Sequence, residues 1–489
     1  MIAGGTPTGP LDARRDWLTS FLAVCLGALL LRQLWFALFG YLNVDEFENA
    51  QVVWLWRQGL LPVRDYFHPH LITYNLLLAP IYALCGPTPE LLGWIRVFLF
   101  PLVLLPVWQI GWIGRRLGGA RAGWLAAVLF LSSPITGYSL AEMRPDTVAL
   151  PLVLGALMCG LAYLERSEPS PRLFYAAALL LGLNFLFTQK FVFLAFVLMW
   201  RLETHHARVW QWAPARRWRS ALAFGALTLL PLPLVIAGYG LAGWLNWDDF
   251  LLLIGSATQY VPVNWQSQKV KLLTAAGYAL SDGVPLLLGL WGLATIAFSR
   301  GAMARARSSV PWIAGVVLIV SALEILGLPV LFFHLLVLPQ VMLSLLAVQT
   351  VVSRRAGLIA ALALLQLIYA HLVNRDVFHT RQQQVETFRY VLEHVPPDRP
   401  VLDFFSGYSA FRPIVGRLLY FRPLYEGGDI SAPQLRAVVR GLATRRIGLV
   451  VKDVLFRFLP PALRDLILAN YEPTPEYPDL LAPKGGTGP

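Results

Sequence analysis

Long apolar runs fill the first three quarters of this chain. A transmembrane helix needs about 20 apolar residues to cross the hydrocarbon core, and about eleven segments approach that length. They lie at 17–39, 91–113, 121–139, 147–164, 173–189, 190–203, 221–243, 273–298, 309–327, 329–350 and 356–374. The sequence therefore predicts an all-α polytopic membrane domain over residues 1–374.

The composition agrees with a membrane protein and argues against a nucleic-acid partner. Hydrophobic residues make up 57% of the chain and charged residues 14%, with a mean hydropathy of +0.58. The net charge is +12, but the basic residues fall in short clusters between apolar runs and do not form one patch. The three cysteines have no metal-ligand spacing, so neither a disulfide framework nor a zinc site is indicated.

The basic clusters also predict the orientation of the chain. Arg14 and Arg15 precede the first run, which is long and lacks a small-residue cleavage site, so we expect it to be a retained span. The run at 71–86 is short and contains Pro80, and we expect it to lie in the interface. The later basic clusters then share the cytoplasmic side with the N-terminus, and the C-terminal segment is extracytoplasmic.

The first outer loop, residues 40–70, carries the acid pair Asp45 and Glu46 directly after the first span. A carboxylate beside lipid has raised proton affinity unless charge or hydrogen bonds hold it ionised, and such a group can act as a general base. The alternative is a pair that caps a helix. Residues 47–58 mix aromatic and polar side chains, which favours a helix lying along the interface.

A second polar segment, "AEMRPD", follows the third predicted span. Glu142 and Asp146 flank Arg144, and Pro145 suggests that Asp146 begins the next helix. These side chains could hold a metal ion or aim Arg144 at a phosphate, or Asp146 could simply cap the helix. Lys190 lies between two apolar arms, where it could contact a lipid phosphate or extend to the surface.

Other candidate site residues lie in predicted outer segments. We expect the Trp-rich segment 244–271 to contact sugar rings or to anchor in the headgroup region. The histidines could contact a ligand or be ordinary hydrogen-bonded interface residues. The full set comprises Asp65, His68 and His70 of the first loop, Trp244 and Trp247, and His334 at the start of a later span.

In their order and sidedness, these features resemble the GT-C superfamily of polyprenyl-phosphate-sugar glycosyltransferases. The nearest branch is that of the protein mannosyltransferases and aminoarabinose transferases. The resemblance covers essentially the whole chain. It is carried by the "DE" pair, the stretch "RDYFHPHLITYNLLLAPIYALCG", the "RPD" segment, Lys190 and "HLLVLP".

The resemblance implies a membrane enzyme that moves a sugar from a polyprenyl-phosphate donor to a hydroxyl of a glycan, lipid or protein. Asp45 would activate that hydroxyl with help from Glu46, while Glu142 and Asp146 form a second acidic motif. The donor phosphate would be neutralised by cationic side chains, namely Arg144, Lys190, His334 and His70. A bacterial inner membrane is implied, no cofactor is certain, and dependence on a divalent metal is left open.

Residues 375–489 predict a small extracytoplasmic α/β domain. A helix with Val385, Phe388, Leu392 and Val395 on one face precedes the strand-like "PVLDFF", and a helix at 432–444 precedes "IGLVVKD". The domain has no Gly-rich phosphate loop, so we expect it to bind the acceptor or cover the site.

Two other functions fit a polytopic chain with charged residues. A transporter or lipid flippase would carry internal repeats and midplane charges, whereas the charges here lie at the predicted outer rim. A scaffold that only anchors the outer domain would tolerate replacement of Asp45 and Lys190.

Overall fold

The fold was obtained as a computed structural model of the 489-residue chain. The residues that it describes are 10–61, 64–66, 73–142, 144–188, 191–244, 276–277, 282–298, 310–327, 336–351, 356–373, 381–404, 406–415, 432–453 and 456–485.

Helices build the N-terminal part of the chain. In the described part of the chain, twelve of them precede the segment at 245–275: α1 (Pro10–Phe39), α2 (Val44–Arg57), α3 (Thr73–Cys85), α4 (Leu91–Leu99), α5 (Pro101–Gly118), α6 (Ala120–Ser132), α7 (Pro134–Ala141), α8 (Pro145–Leu164), α9 (Pro171–Asn184), α10 (Val192–Arg208), α11 (Pro214–Leu229) and α12 (Pro231–Leu241). Four more are described after it: α13 (Gly283–Phe298), α14 (Val310–Gly327), α15 (Val337–Val351) and α16 (Ala356–Val373).

The chain is a multi-pass membrane protein. Among the described residues, four helical segments are long and apolar enough to cross a membrane: Trp17–Phe39, Leu91–Gly118, Pro145–Leu164 and Pro214–Leu241. Large apolar side chains such as Leu84, Trp108 and Leu241 are exposed on the helix surfaces. An aqueous surface would not favour so much exposed apolar area, whereas lipid would.

The structure corrects several predicted span boundaries. The predicted span 121–139 is broken, because α6 ends at Ser132 and α7 begins at Pro134 with a bend of 73°. Pro134 disfavours the helical conformation at the residue before it, and Ser133 has φ −58° and ψ 127°. The arms predicted at 173–189 and 190–203 are α9 and α10, which end at Asn184 and Arg208.

Helix α3 occupies the run at 71–86 that was expected to stay in the interface. Its 13 residues rise about 20 Å, which is less than the hydrocarbon thickness. It packs on α2 and α4, so it belongs to the layer that supports the first loop.

Helix α2, which covers most of the predicted interfacial helix at 47–58, is packed into the protein. Its side chains Phe47, Val52 and Val53 are buried, and Trp54 and Trp56 are only half-buried. The reason is that α2 is covered on two sides, by α3 and α4 and by the C-terminal domain. Part of this cover comes from residues more than 300 positions away, and the placement of α2 along the membrane interface stays a prediction.

The C-terminal domain contains a four-stranded sheet with strand order β1-β2-β4-β3. The strands β1 (Val401–Leu402) and β2 (Leu449–Val451) are parallel and lie within the two predicted strand segments. β4 (Leu480–Pro483) pairs antiparallel with both β2 and β3 (Tyr471–Pro473). The strands β3 and β4 were not predicted. The helices are α17 (Arg381–His394), α18 (Ala432–Ala443) and α19 (Pro461–Asn470).

Candidate active site

The start of α2 positions the acid pair. Asn43 is the N-cap residue, and its side-chain oxygen accepts a hydrogen bond from the Asp45 backbone nitrogen at 3.1 Å. In return, Glu46 Oε2 accepts from the Asn43 backbone nitrogen at 2.8 Å, which completes a capping box. The cap fixes the direction of both acid side chains relative to the end of α1.

Arg144 joins Asp45 to the second acidic segment. Its Nη2 donates to Asp45 Oδ2, and its Nη1 donates to Glu142 Oε2 at 2.8 Å. Asn43 Nδ2 donates to the other oxygen of Glu142 at 2.9 Å. Residues that are 99 positions apart in sequence thus form one network, which brings together the first outer loop and the "RPD" segment.

Glu46 has a different environment from Asp45. Its side chain is fully buried and accepts two hydrogen bonds from Arg96, at 2.7 Å and 2.5 Å. Arg96 also donates to the backbone carbonyls of Phe36, Gly40 and Tyr41. By contrast, the Asp45 side chain is 31% exposed. Glu46 therefore fixes the loop to α4, while Asp45 remains accessible.

Glu142 is buried at the base of this network. Burial and, to a smaller extent, the nearby charge of Glu46 raise the pKa of Glu142 to about 8, against the opposing effects of Arg96, Tyr138 and Asn43. The Tyr138 side chain makes hydrogen bonds with Glu142 and Asn43. The pKa of about 8 lies in a range where the charge of Glu142 responds to ordinary changes of pH.

A small cavity lies below the network, bounded by Gln33, Arg96 and Glu142 together with apolar side chains of α1, α5 and α7. Its volume of about 10 Å³ is close to the minimum for one water molecule. It is too small for a phosphate or a sugar.

The acid groups do not fit a divalent metal in this arrangement. Asp45 and Glu142 both direct an oxygen to the guanidinium of Arg144, which occupies the position between them. Within the described part of the chain, no three His, Cys, Asp or Glu side chains converge as a ligand set. The charge between these carboxylates is supplied by arginine.

The other described candidates lie around this network or apart from it. Asp146 is buried in the first turn of α8. Asp65 closes a local turn, because its Oδ2 accepts from the Leu61 backbone nitrogen at 2.7 Å and from Arg64. Trp244 packs against Trp56 of α2 with ring centroids 6.1 Å apart. The remaining candidates, His68, His70, Lys190, Trp247 and His334, lie outside the described residues.

Sequence reasoning missed Arg96, Asn43 and Tyr138. Arg96 gives a signal that could have found it, since an arginine inside a predicted span is costly unless it is paired. Asn43 followed three residues later by Glu46 is a capping-box pattern. Tyr138 gives no such signal, because it lies in the span that the break at Ser133 turns toward the site.

Comparison with solved structures identifies the fold. The oligosaccharyltransferase of Archaeoglobus fulgidus, solved in complex with Zn and sulfate, is 12% identical, with a TM-score of 0.53 over 95% of this chain and 73% of that one. Thus the chain shares the overall fold of this membrane protein. ArnT from Cupriavidus metallidurans in the apo state is 14% identical, with a TM-score of 0.48 over 96% of this chain and 98% of that one. ArnT bound to undecaprenyl phosphate is 13% identical, with a TM-score of 0.41 over 95% of this chain and 97% of that one. No family model and no curated protein matches the sequence.

The raised pKa of Glu142 predicts a pH-dependent stability. An unfolded glutamate titrates near pH 4.5 and the folded one near 8, so the folded state holds more protons between these values. Stability should therefore fall as the pH rises through this window, by up to about 1.4 kcal/mol per pH unit from this group. Melting of the wild type and of a Glu142→Gln variant in nanodiscs, followed by tryptophan fluorescence from pH 6 to 8.5, measures the difference. Parallel curves for the two proteins would contradict the expectation.

Proposed function

We propose that this chain is a membrane glycosyltransferase that moves a sugar from a polyprenyl-phosphate donor to an acceptor hydroxyl at the outer membrane face. The observation that carries the proposal is the contrast between the two acids on a GT-C fold. Glu46 is buried in an ion pair, whereas Asp45 is partly exposed beside Arg144. An exposed, precisely oriented carboxylate is the group that can receive a proton from an incoming hydroxyl.

The reaction is a displacement at the anomeric carbon of the donor sugar. The acceptor oxygen forms a new bond to this carbon, the bond from carbon to the phosphate oxygen breaks, and the acceptor proton passes to Asp45. Positive charge develops on the sugar and negative charge on the departing phosphate. Asp45 is therefore the proposed base, and Glu46, which was expected to assist it chemically, is assigned a positioning role because it is already bound to Arg96.

The phosphate side of the reaction requires cations. Arg144 is bound by Asp45 and Glu142 before a donor arrives. A donor phosphate can exchange with Asp45 for one Nη of Arg144, which leaves Asp45 free to receive the acceptor proton. Lys190, His334 and His70 remain proposed phosphate ligands, on the basis of the family resemblance.

Aromatic and polar side chains near α2 are proposed to contact the sugar or the acceptor. Trp244 is half-buried and packs edge-on against Trp56, and it also lies 5.9 Å from the Tyr239 ring. Such faces suit sugar rings. Trp247, His68 and Asp65 are proposed contacts of the same kind, and Asp146 is proposed to support Arg144 from the first turn of α8.

The outer-face assignment rests on the basic clusters of the sequence. Arg115 and Arg116 end α5, whereas Arg96 lies near the start of the same long segment. The Leu91–Gly118 segment has 28 residues and is about 42 Å long, so its two ends lie at opposite membrane faces. With Arg115 and Arg116 cytoplasmic, the N-terminus is cytoplasmic and Asp45 and the C-terminal domain are extracytoplasmic.

A reconstituted transfer assay tests the function. Purified protein in proteoliposomes would receive undecaprenyl phosphate carrying radiolabelled mannose, glucose or aminoarabinose, with a membrane glycan and lipid extract as acceptor. We expect label from one donor to move covalently to an acceptor, and mass spectrometry of copurified lipids to detect a polyprenyl phosphate. Movement of labelled lipid between leaflets without covalent transfer would favour a flippase, and neither activity would favour a scaffold.

A further inference from the structure

The C-terminal domain contacts the backbone immediately before α2. Gln384 of α17 accepts a hydrogen bond from the Leu42 backbone nitrogen at 2.9 Å and donates to the Leu42 carbonyl at 3.0 Å. Both groups are buried, and a buried amide and carbonyl are costly to leave without partners. Leu42 precedes the N-cap residue Asn43, so these two bonds fix the point at which α2 begins.

A second pair of hydrogen bonds joins a glutamine of α2 to the backbone of the C-terminal domain. Gln51, in the middle of α2, accepts from the Phe411 backbone nitrogen at 2.5 Å and donates to the Arg412 carbonyl at 2.7 Å. One glutamine on each partner thus pairs with the backbone of the other. Two separate attachments, at the start and at the middle of the helix, restrict both its position and its rotation.

Phe47 lies between the two attachments and packs into the C-terminal domain. Its ring centroid is 5.2 Å from that of Phe388 and 6.0 Å from that of Tyr408. Gly407, with φ +86°, permits this contact, since an added Cβ would lie 2.5 Å from the Phe47 Cβ. These side chains share one hydrophobic core with residues of α3 and α4.

Phe47 and Leu42 lie within three residues of Asp45, so displacement of the C-terminal domain would move the carboxylate. Asn43 also bonds Glu142, and the Gln384 side chain makes a hydrogen bond with Tyr41. The contacts of the C-terminal domain therefore continue directly into the acid network. A domain that only covered the site would not need contacts that reach the acid network.

We propose that the C-terminal domain is a positioning element of the active site, acting through Gln384 and the segment 406–412 on α2. This inference rests on the proposed function for its catalytic consequence, but the positioning itself does not depend on it. Gln384 and Gln51 touch no reacting atoms. They set the distance from Asp45 to Arg144 and to the acceptor.

The test compares Gln384→Leu with Arg389→Gln in full-length protein in nanodiscs. Arg389 bonds Glu90 at 2.6 Å across the same interface, but both side chains are exposed and the bond joins α17 to the residue before α4. The rate of backbone amide hydrogen exchange in residues 40–57 should rise about 10-fold in Gln384→Leu. The loss of the two Gln384 hydrogen bonds lets the start of α2 open more often. In Arg389→Gln it should match the wild type.

Transfer kinetics provide the readout that separates positioning from general loss of structure. With whichever of the three radiolabelled donors the wild type uses, kcat of Gln384→Leu should fall about 100-fold, since a displacement of about 1 Å costs that much. The KM for the donor and the binding of undecaprenyl phosphate should stay close to wild type. Unchanged exchange and unchanged kcat would overturn the inference.

Two further measurements keep the test decisive. If Gln384→Leu does not fold, Gln51→Leu removes the second attachment and is judged by the same readouts. In the wild type, the amides of 44–57 and 381–394 should be protected to the same extent, and protection of one segment alone would overturn the inference without any variant. If no donor is used at all, the proposed function fails while the exchange result still decides the positioning.

Discussion

An Asp45→Asn variant is expected to lose sugar transfer by about 100- to 10,000-fold while keeping its fold. Asparagine has nearly the same shape, and its side-chain oxygen can still accept from Arg144. The hydrogen bonds that Asp45 makes with Asn43 and Asn49 use its backbone atoms and are unaffected. What the substitution removes is the ability to take a proton from the acceptor.

The matched control is Glu165→Gln. Glu165 is also a partly exposed carboxylate bound to an arginine, Arg116, but it lies at the opposite end of the helices from Asp45. Transfer is measured in proteoliposomes, and folding by size-exclusion chromatography and melting temperature. We expect wild-type transfer for Glu165→Gln. An Asp45→Asn protein that folds and transfers sugar at the wild-type rate would show that Asp45 is not the base.

The convergence of the acid segments was predictable from the sequence because membrane geometry limits the alternatives. Once the spans and the basic clusters set the sides, the loop after α1 and the segment before α8 had to meet the same membrane face. The direct contact of Arg144 with Asp45 and Glu142 follows that arrangement. The helices α17 and α18 and two of the four strands were also predicted, since their apolar periodicity is regular.

Other features depend on contacts that no local pattern reveals. Asp45 and Glu46 are adjacent and chemically equivalent in sequence, and only the position of Arg96 on α4 gives Glu46 a buried partner. The burial of α2 depends on Gln384 and Phe388 of the C-terminal domain. The 73° bend at Ser133 differs from these cases, because Pro134 is a local signal for it, but hydropathy alone predicts one continuous span.

The ion pair between Arg96 and Glu46 predicts a large loss of stability when it is broken. Both side chains are almost completely buried, with exposures of 1% and 0%. Replacement of Arg96 by methionine leaves a buried carboxylate without its counter-charge, which typically costs about 3–5 kcal/mol. Three backbone carbonyls also lose their donor. We expect Arg96→Met to express poorly and to melt far below the wild type.

A double variant, Arg96→Met with Glu46→Gln, separates charge from packing. It removes the isolated buried charge, and the glutamine can still accept from the Asn43 backbone nitrogen as Glu46 does. Its melting temperature should therefore exceed that of Arg96→Met, though it should stay below the wild type because the carbonyls of Phe36, Gly40 and Tyr41 remain without their donor. Melting in nanodiscs measures all three proteins.

If the double variant were less stable than Arg96→Met, the buried pair would not be the main source of stability at this site. If it kept its fold and still transferred sugar, Glu46 would be confined to holding α2, as its full burial requires.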